Sequence, residues 1–257
     1  MLETRSRIAP TPSGYLHYGN IVNFLLTEKL VKSSGGTLAL RIDDCDSTRS
    51  RPEYIEDIFS TLNWLEISWN EGPRNEDEFL RSFSQSSRAD YYFQKLQSLN
   101  RKVYACACSR KEISSVYRGT CRNKNFAFTP GQHALRLKID DPVFFSRFGD
   151  PVLWRKDNGP AYHLASVVDD LDLKVNLIVR GEDLKDASDL QTYIASQLSS
   201  DGFQNVRFVH HPLLLDQSGI KLSKSRNSFS IKEEREKGQS PEDIRGKASS
   251  FLASWGF

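Results

Sequence analysis

His17 and Gly19 lie two residues apart in the stretch RIAPTPSGYLHYGN, residues 7 to 20. A short apolar run precedes them and apolar residues at helical spacing follow, which predicts a turn between a strand and a helix. Such a turn attracts anions, because the first N–H groups of a helix lack helical partners and its dipole favours negative charge. Glycine lets a ligand approach the main chain, and histidine can donate to a phosphate. Alternatively, His17 only caps the helix or packs against it.

Lys221 and Lys224 form a second candidate anion site in the segment KLSKS. This segment follows the apolar stretch VRFVHHPLLL, so it is predicted to be a polar loop after a buried strand. Two lysines three residues apart, flanked by serines, can hold a polyphosphate, although a solvated basic loop has the same appearance. The sequence contains no G-x-x-x-x-G-K-[ST] segment, which excludes a P-loop nucleotide site.

Cysteine residues provide a third candidate site. Three of the four cysteines, Cys106, Cys108 and Cys121, lie close together in the sequence. In a reducing compartment this clustering favours a metal site over a disulfide. Three thiolates leave one position of a tetrahedral zinc site open, and the alternative is a packed hairpin with three reduced cysteines. Cys45 is isolated, which favours a structural role.

Composition indicates an ordinary globular protein. The 257 residues are 38% hydrophobic and 26% charged, and the net charge is +2. Because this charge is small, contact with a nucleic acid would need a local basic patch. The N-terminal residues have no signal-peptide core, and no apolar run approaches the ~20 residues that span a bilayer. We therefore expect a cytoplasmic protein that does not contact membranes.

Strands and helices alternate in the first part of the predicted structure. SRIAP and TLALRID are predicted strands on either side of a helix that ends near Gly35 and Gly36, and this unit favours a parallel sheet. Residues 101–125 interrupt the alternation with seven basic residues and one acidic residue. The basic residues could contact RNA phosphates or form a solvated face. They are Arg101, Lys102, Arg110, Lys111, Arg118, Arg122 and Lys124.

Five blocks of the sequence together resemble the glutamyl branch of the class I aminoacyl-tRNA synthetases. LHYGN resembles the HIGH motif and KLSKS the KMSKS motif. The other blocks are LRIDDCDSTR, AYHLASVVDD and LIVRGEDLKDAS. The resemblance implies an α/β fold with a Rossmann-like (HUP-type) parallel sheet and an inserted acceptor-binding-type subdomain that carries a small zinc-binding hairpin. It implies two halves of a catalytic domain at 1–100 and 161–230, the insertion at 101–160 and a short helical remnant at 231–257.

The resemblance also implies a reaction and a set of residues. Glutamate would be activated by ATP, with Mg²⁺, to glutamyl-adenylate. Asn20 replaces the second histidine of the HIGH motif, and Asp43 replaces the glutamate that usually holds the substrate ammonium group. Taken alone, Arg180 could instead form a salt bridge with Glu182 or Asp183. The implied catalytic residues are His17, Gly19, Asn20, Lys221 and Lys224, of which His17, Gly19 and Lys224 bind ATP. The implied glutamate-binding residues are Arg7, Ile8, Ala9, Pro10, Thr11, Asp43, Tyr162 and Arg180.

Short glutamyl-type enzymes carry a similar zinc site, which implies that Cys106, Cys108, Tyr117 and Cys121 are the ligands. The gap between Cys108 and Tyr117 is shorter here than in those relatives. About 30 residues follow KLSKS, too few for the anticodon-binding domain of a full-length glutamyl-tRNA synthetase. This architecture resembles the short members of the branch, which transfer glutamate to queuosine in the anticodon loop of tRNA(Asp) and act as monomers.

Two alternative functions remain open at this point. A truncated synthetase could charge a tRNA 3′ end or another glutamate acceptor. A non-catalytic paralogue could bind RNA, but binding alone does not require His17, Lys221 and Lys224.

Overall fold

The computed structural model describes residues 3–46, 48–113, 116–199, 201–214 and 230–257. The chain divides into two compact units. The first comprises Met1–Ser84, Asp172–Ser188 and Gln204–Phe257, and the second comprises Gln85–Leu171 and Asp189–Phe203. Lys221 and Lys224 lie outside the described residues. The four-part division of the chain stays a prediction.

The helices and strands follow the alternation that the sequence indicates. None of the helices in the described ranges is both long and apolar enough to cross a lipid bilayer. The strands are β1 Arg5–Ile8, β2 Thr37–Leu40, β3 Val103–Cys106, β4 Ala134–Leu137, β5 Val152–Trp154, β6 Leu177–Gly181 and β7 Arg207–His211. The helices are α1 Tyr18–Ser33, α2 Pro52–Trp64, α3 Glu76–Glu78, α4 Ala89–Gln97, α5 Pro142–Phe148, α6 Tyr162–Asp172, α7 Lys185–Leu198, α8 Ile231–Glu236 and α9 Pro241–Ser254.

Parallel strands form the centre of the first unit. β1 pairs in parallel with β2, and β6 pairs in parallel with β7. β6 runs beside β1 in the same direction, because Asn176 N–H donates to Arg5 O at 2.9 Å and Ser6 Oγ donates to Leu177 O at 2.7 Å. The carboxyl ends of these strands therefore lie at one edge, which is where ligands bind in open α/β sheets.

Helix α1 connects β1 to β2 and is buried on most of its surface. Ile21, Val22 and Leu26 are fully buried, and α9 packs against the same core through Ile244, Ala248 and Leu252. A helix that is apolar around most of its circumference belongs in a core. The predicted C-terminal helical remnant is therefore part of the core of the first unit.

An antiparallel sheet in the order β3-β4-β5 forms part of the second unit. Asp150 connects this sheet to the segment that follows Cys121. Its buried carboxylate accepts hydrogen bonds from Tyr104 Oη at 2.6 Å, from Ile139 N at 2.9 Å and from the Arg122 guanidinium at 2.5 Å. A buried carboxylate requires such partners, because an unpaired charge is strongly unfavourable in the interior.

Candidate active site and metal centre

His17 occupies the N-cap position of α1, with extended backbone angles of φ −127° and ψ 170°. Its N–H donates to Asn20 Oδ1 at 3.1 Å, which is one of the two hydrogen bonds of a capping box. Asn20 therefore has a structural role at the helix start. The imidazole lies over Gly19: a Cβ atom at that position would lie 3.0 Å from His17 Cε1. Glycine therefore leaves the space that the histidine ring occupies beside the first turn of the helix.

The HIGH-like segment contacts residues 230–232, which are the described residues nearest to the KLSKS segment on its C-terminal side. Ile231 N–H donates to Leu16 O at 2.8 Å, and His17 forms an isolated antiparallel bridge with Ser230. Lys232 Nζ lies 3.2 Å from Tyr15 Oη. The chain that leaves the KLSKS segment is thus attached beside His17.

The predicted glutamate-binding residues of β1 lie next to Asp43. Arg7 and Ile8 are buried in β1, Ala9 is half-buried, Pro10 is buried and Thr11 is exposed. The pairing of β1 with β2 continues beyond the strands, because Arg41 N–H donates to Ile8 O at 3.0 Å and Asp43 N–H donates to Pro10 O at 2.9 Å. The structure therefore brings the 7–11 segment and Asp43 together.

Asp43 forms an ion pair with Arg41 that the sequence analysis did not include. Arg41 Nε lies 2.6 Å from Asp43 Oδ1, Nη2 lies 3.3 Å from Oδ2, and both side chains are only 6% exposed. Residues i and i+2 of an extended segment face the same side, so this contact could have been inferred from the sequence. A carboxylate can accept several hydrogen bonds, so the ion pair with Arg41 does not by itself prevent contact with a substrate ammonium group.

Arg180 lies near the carboxyl end of β6 and is buried. Its Nη1 is 3.4 Å from Ser188 Oγ, and its guanidinium is 5.6 Å from the centre of the Phe208 ring. Ser188 Oγ is also 2.9 Å from His210 Nε2, and His210 is the register partner of Arg180 in β7. Arg180 is thus held at the same edge of the parallel strands as Arg7.

Tyr162 belongs to the second unit, where it is the first residue of α6 and is 39% exposed. Asp169, further along α6, is buried and fixes this helix. Its carboxylate accepts from Gln85 Nε2 at 2.8 Å, Arg88 Nη1 at 2.6 Å and Tyr92 Oη at 2.8 Å. The two acidic residues at the end of AYHLASVVDD were the only sequence signal for this network.

Cys106, Cys108 and Cys121 are brought together in the second unit, with their sulfur atoms within 4.8 Å of one another. Cys108 Sγ and Cys121 Sγ are 3.6 Å apart, close to the roughly 3.8 Å separation of two thiolates on a tetrahedral zinc ion. Tyr117 Oη lies 3.4 Å from Cys106 Sγ and accepts the Cys121 N–H at 2.7 Å. Three sulfurs and one phenol oxygen therefore form a donor set that fits zinc.

The thiols of this cluster differ in acidity. Burial opposes ionisation of Cys121, but hydrogen bonds from Tyr117 and the Ala107 main chain outweigh it and lower the pKa of its thiol to about 7. Burial, followed by the hydrogen bond with Cys121, raises the pKa of Cys108 to about 11. A metal ion that binds at neutral pH would therefore displace protons from the cluster.

We expect Cys106→Ser to abolish stoichiometric zinc binding, because it removes the most buried sulfur of the donor set. Metal content of the purified protein, measured by mass spectrometry, tests this expectation. Cys45→Ser is the matched control and should keep the metal, since Cys45 belongs to the other unit. Absence of zinc from the unmodified protein would contradict the assignment.

One of the basic residues predicted to contact RNA has a different role. The Arg122 guanidinium is bound to Asp150 and lies 4.2 Å from the centre of the Phe145 ring. Its charge is compensated inside the unit, which disfavours a contact between Arg122 and an RNA phosphate. Lys124, in contrast, is exposed.

Sequence comparison matches the chain to the family described as tRNA synthetases class I (E and Q), catalytic domain, over residues 3–141 and 120–251. The chain is 38% identical to glutamyl-Q tRNA(Asp) synthetase of Synechococcus sp. (strain CC9605), over 96% of its own length and 83% of that protein. It is 35% identical to glutamyl-Q tRNA(Asp) synthetase of Nitratidesulfovibrio vulgaris, over 94% of its own length and 84% of that protein.

Comparison with solved structures supports the fold. Glutamate-tRNA synthetase from Elizabethkingia anophelis superposes with a TM-score of 0.72 at 23% identity. The match covers 89% of this chain and 54% of that protein, so the chain spans about half the length of this structural relative. The predicted α/β synthetase fold is thereby confirmed.

Proposed function

The chain belongs to the class I tRNA synthetase family that covers the glutamate and glutamine enzymes, and we propose that it activates L-glutamate with ATP and transfers the glutamyl group to queuosine in the anticodon loop of tRNA(Asp). Membership of this family makes the protein a ligase-type enzyme. The specific acceptor is supported by the 38% identity, over 96% of the chain, to a protein named glutamyl-Q tRNA(Asp) synthetase.

In the first step, a carboxylate oxygen of glutamate attacks the α-phosphorus of ATP. A bond forms between carboxylate oxygen and phosphorus, the bond to the β-phosphate breaks, and pyrophosphate leaves. No enzyme nucleophile takes part, so the protein contributes positioning and stabilisation of negative charge. Mg²⁺ bound to ATP would neutralise charge on the phosphates.

The start of α1 is the proposed phosphate site. The dipole of this buried helix favours an anion at its N-terminus, and the His17 imidazole lies at the same place. Gly19 would contact the nucleotide by resemblance to the family, and its lack of a side chain makes room for the His17 ring. By resemblance to the family, Lys224, assisted by Lys221, would hold the pyrophosphate side, and both lysines lie outside the described residues.

The carboxyl ends of β1, β2 and β6 form the proposed amino-acid site. Arg7 and Arg180 are buried arginines whose planar guanidinium groups suit carboxylates. Asp43 would accept the ammonium group while Arg41 holds its carboxylate in place. The role of Tyr162 in binding glutamate rests on the resemblance to the family alone. Because glutamate carries two carboxylates, two buried guanidinium groups favour it over glutamine, whose side chain is neutral.

In the second step, a hydroxyl of queuosine attacks the carbonyl carbon of the adenylate. An ester forms, the bond between carbonyl carbon and phosphate oxygen breaks, and AMP leaves.

A structural zinc ion would be held by Cys106, Cys108, Tyr117 and Cys121, and it would stabilise the hairpin around them. The protein would act as a monomer in the cytoplasm.

Glutamate-dependent exchange of pyrophosphate into ATP tests the activation step. We expect exchange with glutamate in the absence of tRNA. Glutamine should support it at least about 10²-fold less well, because it would leave a buried arginine without its carboxylate. Equal exchange with both amino acids, or none with glutamate, would contradict the proposal.

A further inference from the structure

The segment that follows Cys121 carries an exposed aromatic side chain, Phe126. Its ring is 38% exposed and packs against His133, with ring centroids 5.4 Å apart and planes at 31°. A turn fixes His133, since its N–H donates to Thr129 O at 3.0 Å and its Nδ1 accepts the Thr129 N–H at 3.2 Å. The exposed ring of Phe126 is therefore held in a defined position.

The neighbouring phenylalanine of this segment is directed into the unit. The Phe128 ring lies 6.0 Å from that of Phe93, which contacts the Trp154 ring at 4.9 Å. Lys124 N–H donates to Cys121 O at 3.1 Å, so the other end of the segment is attached to the cysteine cluster. Phe126 thus lies between two fixed residues of this segment. Phe128 packs against aromatic rings of the unit, and the Lys124 main chain is attached to the cysteine cluster.

A positively charged side chain lies beside the exposed ring. Lys124 Nζ lies 5.8 Å from the centre of the Phe126 ring. From Arg122 to His133 the sequence contains no aspartate or glutamate. Glu112 is nearby: hydrogen bonds from Ser109, and then the charges of Lys156 and Lys124, lower the pKa of its carboxyl. Lys124 therefore places positive charge beside an aromatic surface.

We propose that Phe126 and Lys124 form a contact for single-stranded RNA, in which an unpaired base stacks on Phe126, backed by His133, and Lys124 binds an adjacent phosphate. Exposed aromatic rings beside cations are the usual means of binding unpaired nucleotides. The inference rests on the proposed function, because the anticodon loop of tRNA supplies such nucleotides. The cysteine cluster then also serves to position the RNA-binding segment.

Binding of purified queuosine-containing tRNA(Asp) to the full chain, measured by fluorescence anisotropy, tests this contact. Phe126→Ala should raise the Kd about tenfold or more, as loss of a stacked base does. Phe126→Trp should keep near-normal affinity. Lys124→Ala should lower the slope of log Kd against log salt by about 1. Phe251→Ala is the matched control, because Phe251 is 37% exposed on the other unit.

Three further measurements separate RNA binding from other roles. Phe126→Ala should keep the zinc content, melting temperature and pyrophosphate exchange of the unmodified protein. If Phe126→Ala binds tRNA as tightly as Phe251→Ala while the unmodified protein transfers glutamate, the RNA contact is overturned and the proposed function stands. If the unmodified protein forms no glutamyl-adenylate, the proposed function is overturned whatever the tRNA affinity.

Discussion

Replacing His17 by alanine is expected to lower glutamate-dependent pyrophosphate exchange by about 10²-fold or more, the loss typical of removing one electrostatic contact to a transition state. The physical reason is the position of the ring at the N-terminus of α1, over Gly19. There it can donate to a phosphate oxygen whose negative charge increases during the reaction. Steady-state exchange at saturating ATP and glutamate measures the effect.

Helix capping is the competing explanation for His17, and a second substitution separates the two. Asparagine is among the best N-cap residues, so His17→Asn should preserve the stability of α1 while removing the imidazole. We expect this variant to melt like the unmodified protein and to lose as much activity as His17→Ala. Full activity of His17→Asn would show that His17 only caps the helix. Lys29→Ala, an exposed change on the same helix, should leave exchange unchanged.

Regular periodicity made the central elements predictable from sequence. The predicted strand SRIAP and the helix before Gly35 correspond to β1 and α1, and the parallel pairing with β2 follows from the helical crossover between the two strands. Gly35 has a φ of +62° just after the helix, as a C-terminal glycine requires. These elements are determined by local pattern, which is why the sequence alone indicates them.

Contacts between distant segments were not predictable in the same way. The ion pair between Arg41 and Asp43 is local and could have been inferred, but the attachment of Ile231 to Leu16 joins residues more than 200 positions apart. The sequence indicated no secondary structure for the segment AYHLASVVDD, which enters helix α6 and ends in two acidic residues that are buried. A buried carboxylate is understandable only once its partners, such as Arg88 for Asp169, are known.

The cysteine cluster was predictable in part from the spacing of its residues in the sequence. The sequence predicted that Cys106, Cys108 and Cys121 meet, and the structure confirms this juxtaposition. The role of Tyr117 came only from resemblance to the family, and its oxygen does lie beside Cys106 Sγ. The sequence could not indicate that Arg122 is paired while Lys124 is exposed, because Asp150 comes to Arg122 only in the folded chain.

The most direct test of the account is transfer of labelled glutamate to tRNA from cells with and without queuosine. The tRNA is incubated with the protein, ATP and glutamate, and the label is then located in the anticodon loop or at the 3′ end. Periodate treatment of the tRNA beforehand cleaves vicinal diols. Label that is lost after this treatment was attached to a hydroxyl of such a diol, and label that remains is background.

We expect label only in the queuosine-containing pool, in the anticodon loop of tRNA(Asp), with the other pool at background. Equal labelling of both pools at the 3′ end would contradict it and identify an enzyme that aminoacylates tRNA in the usual way.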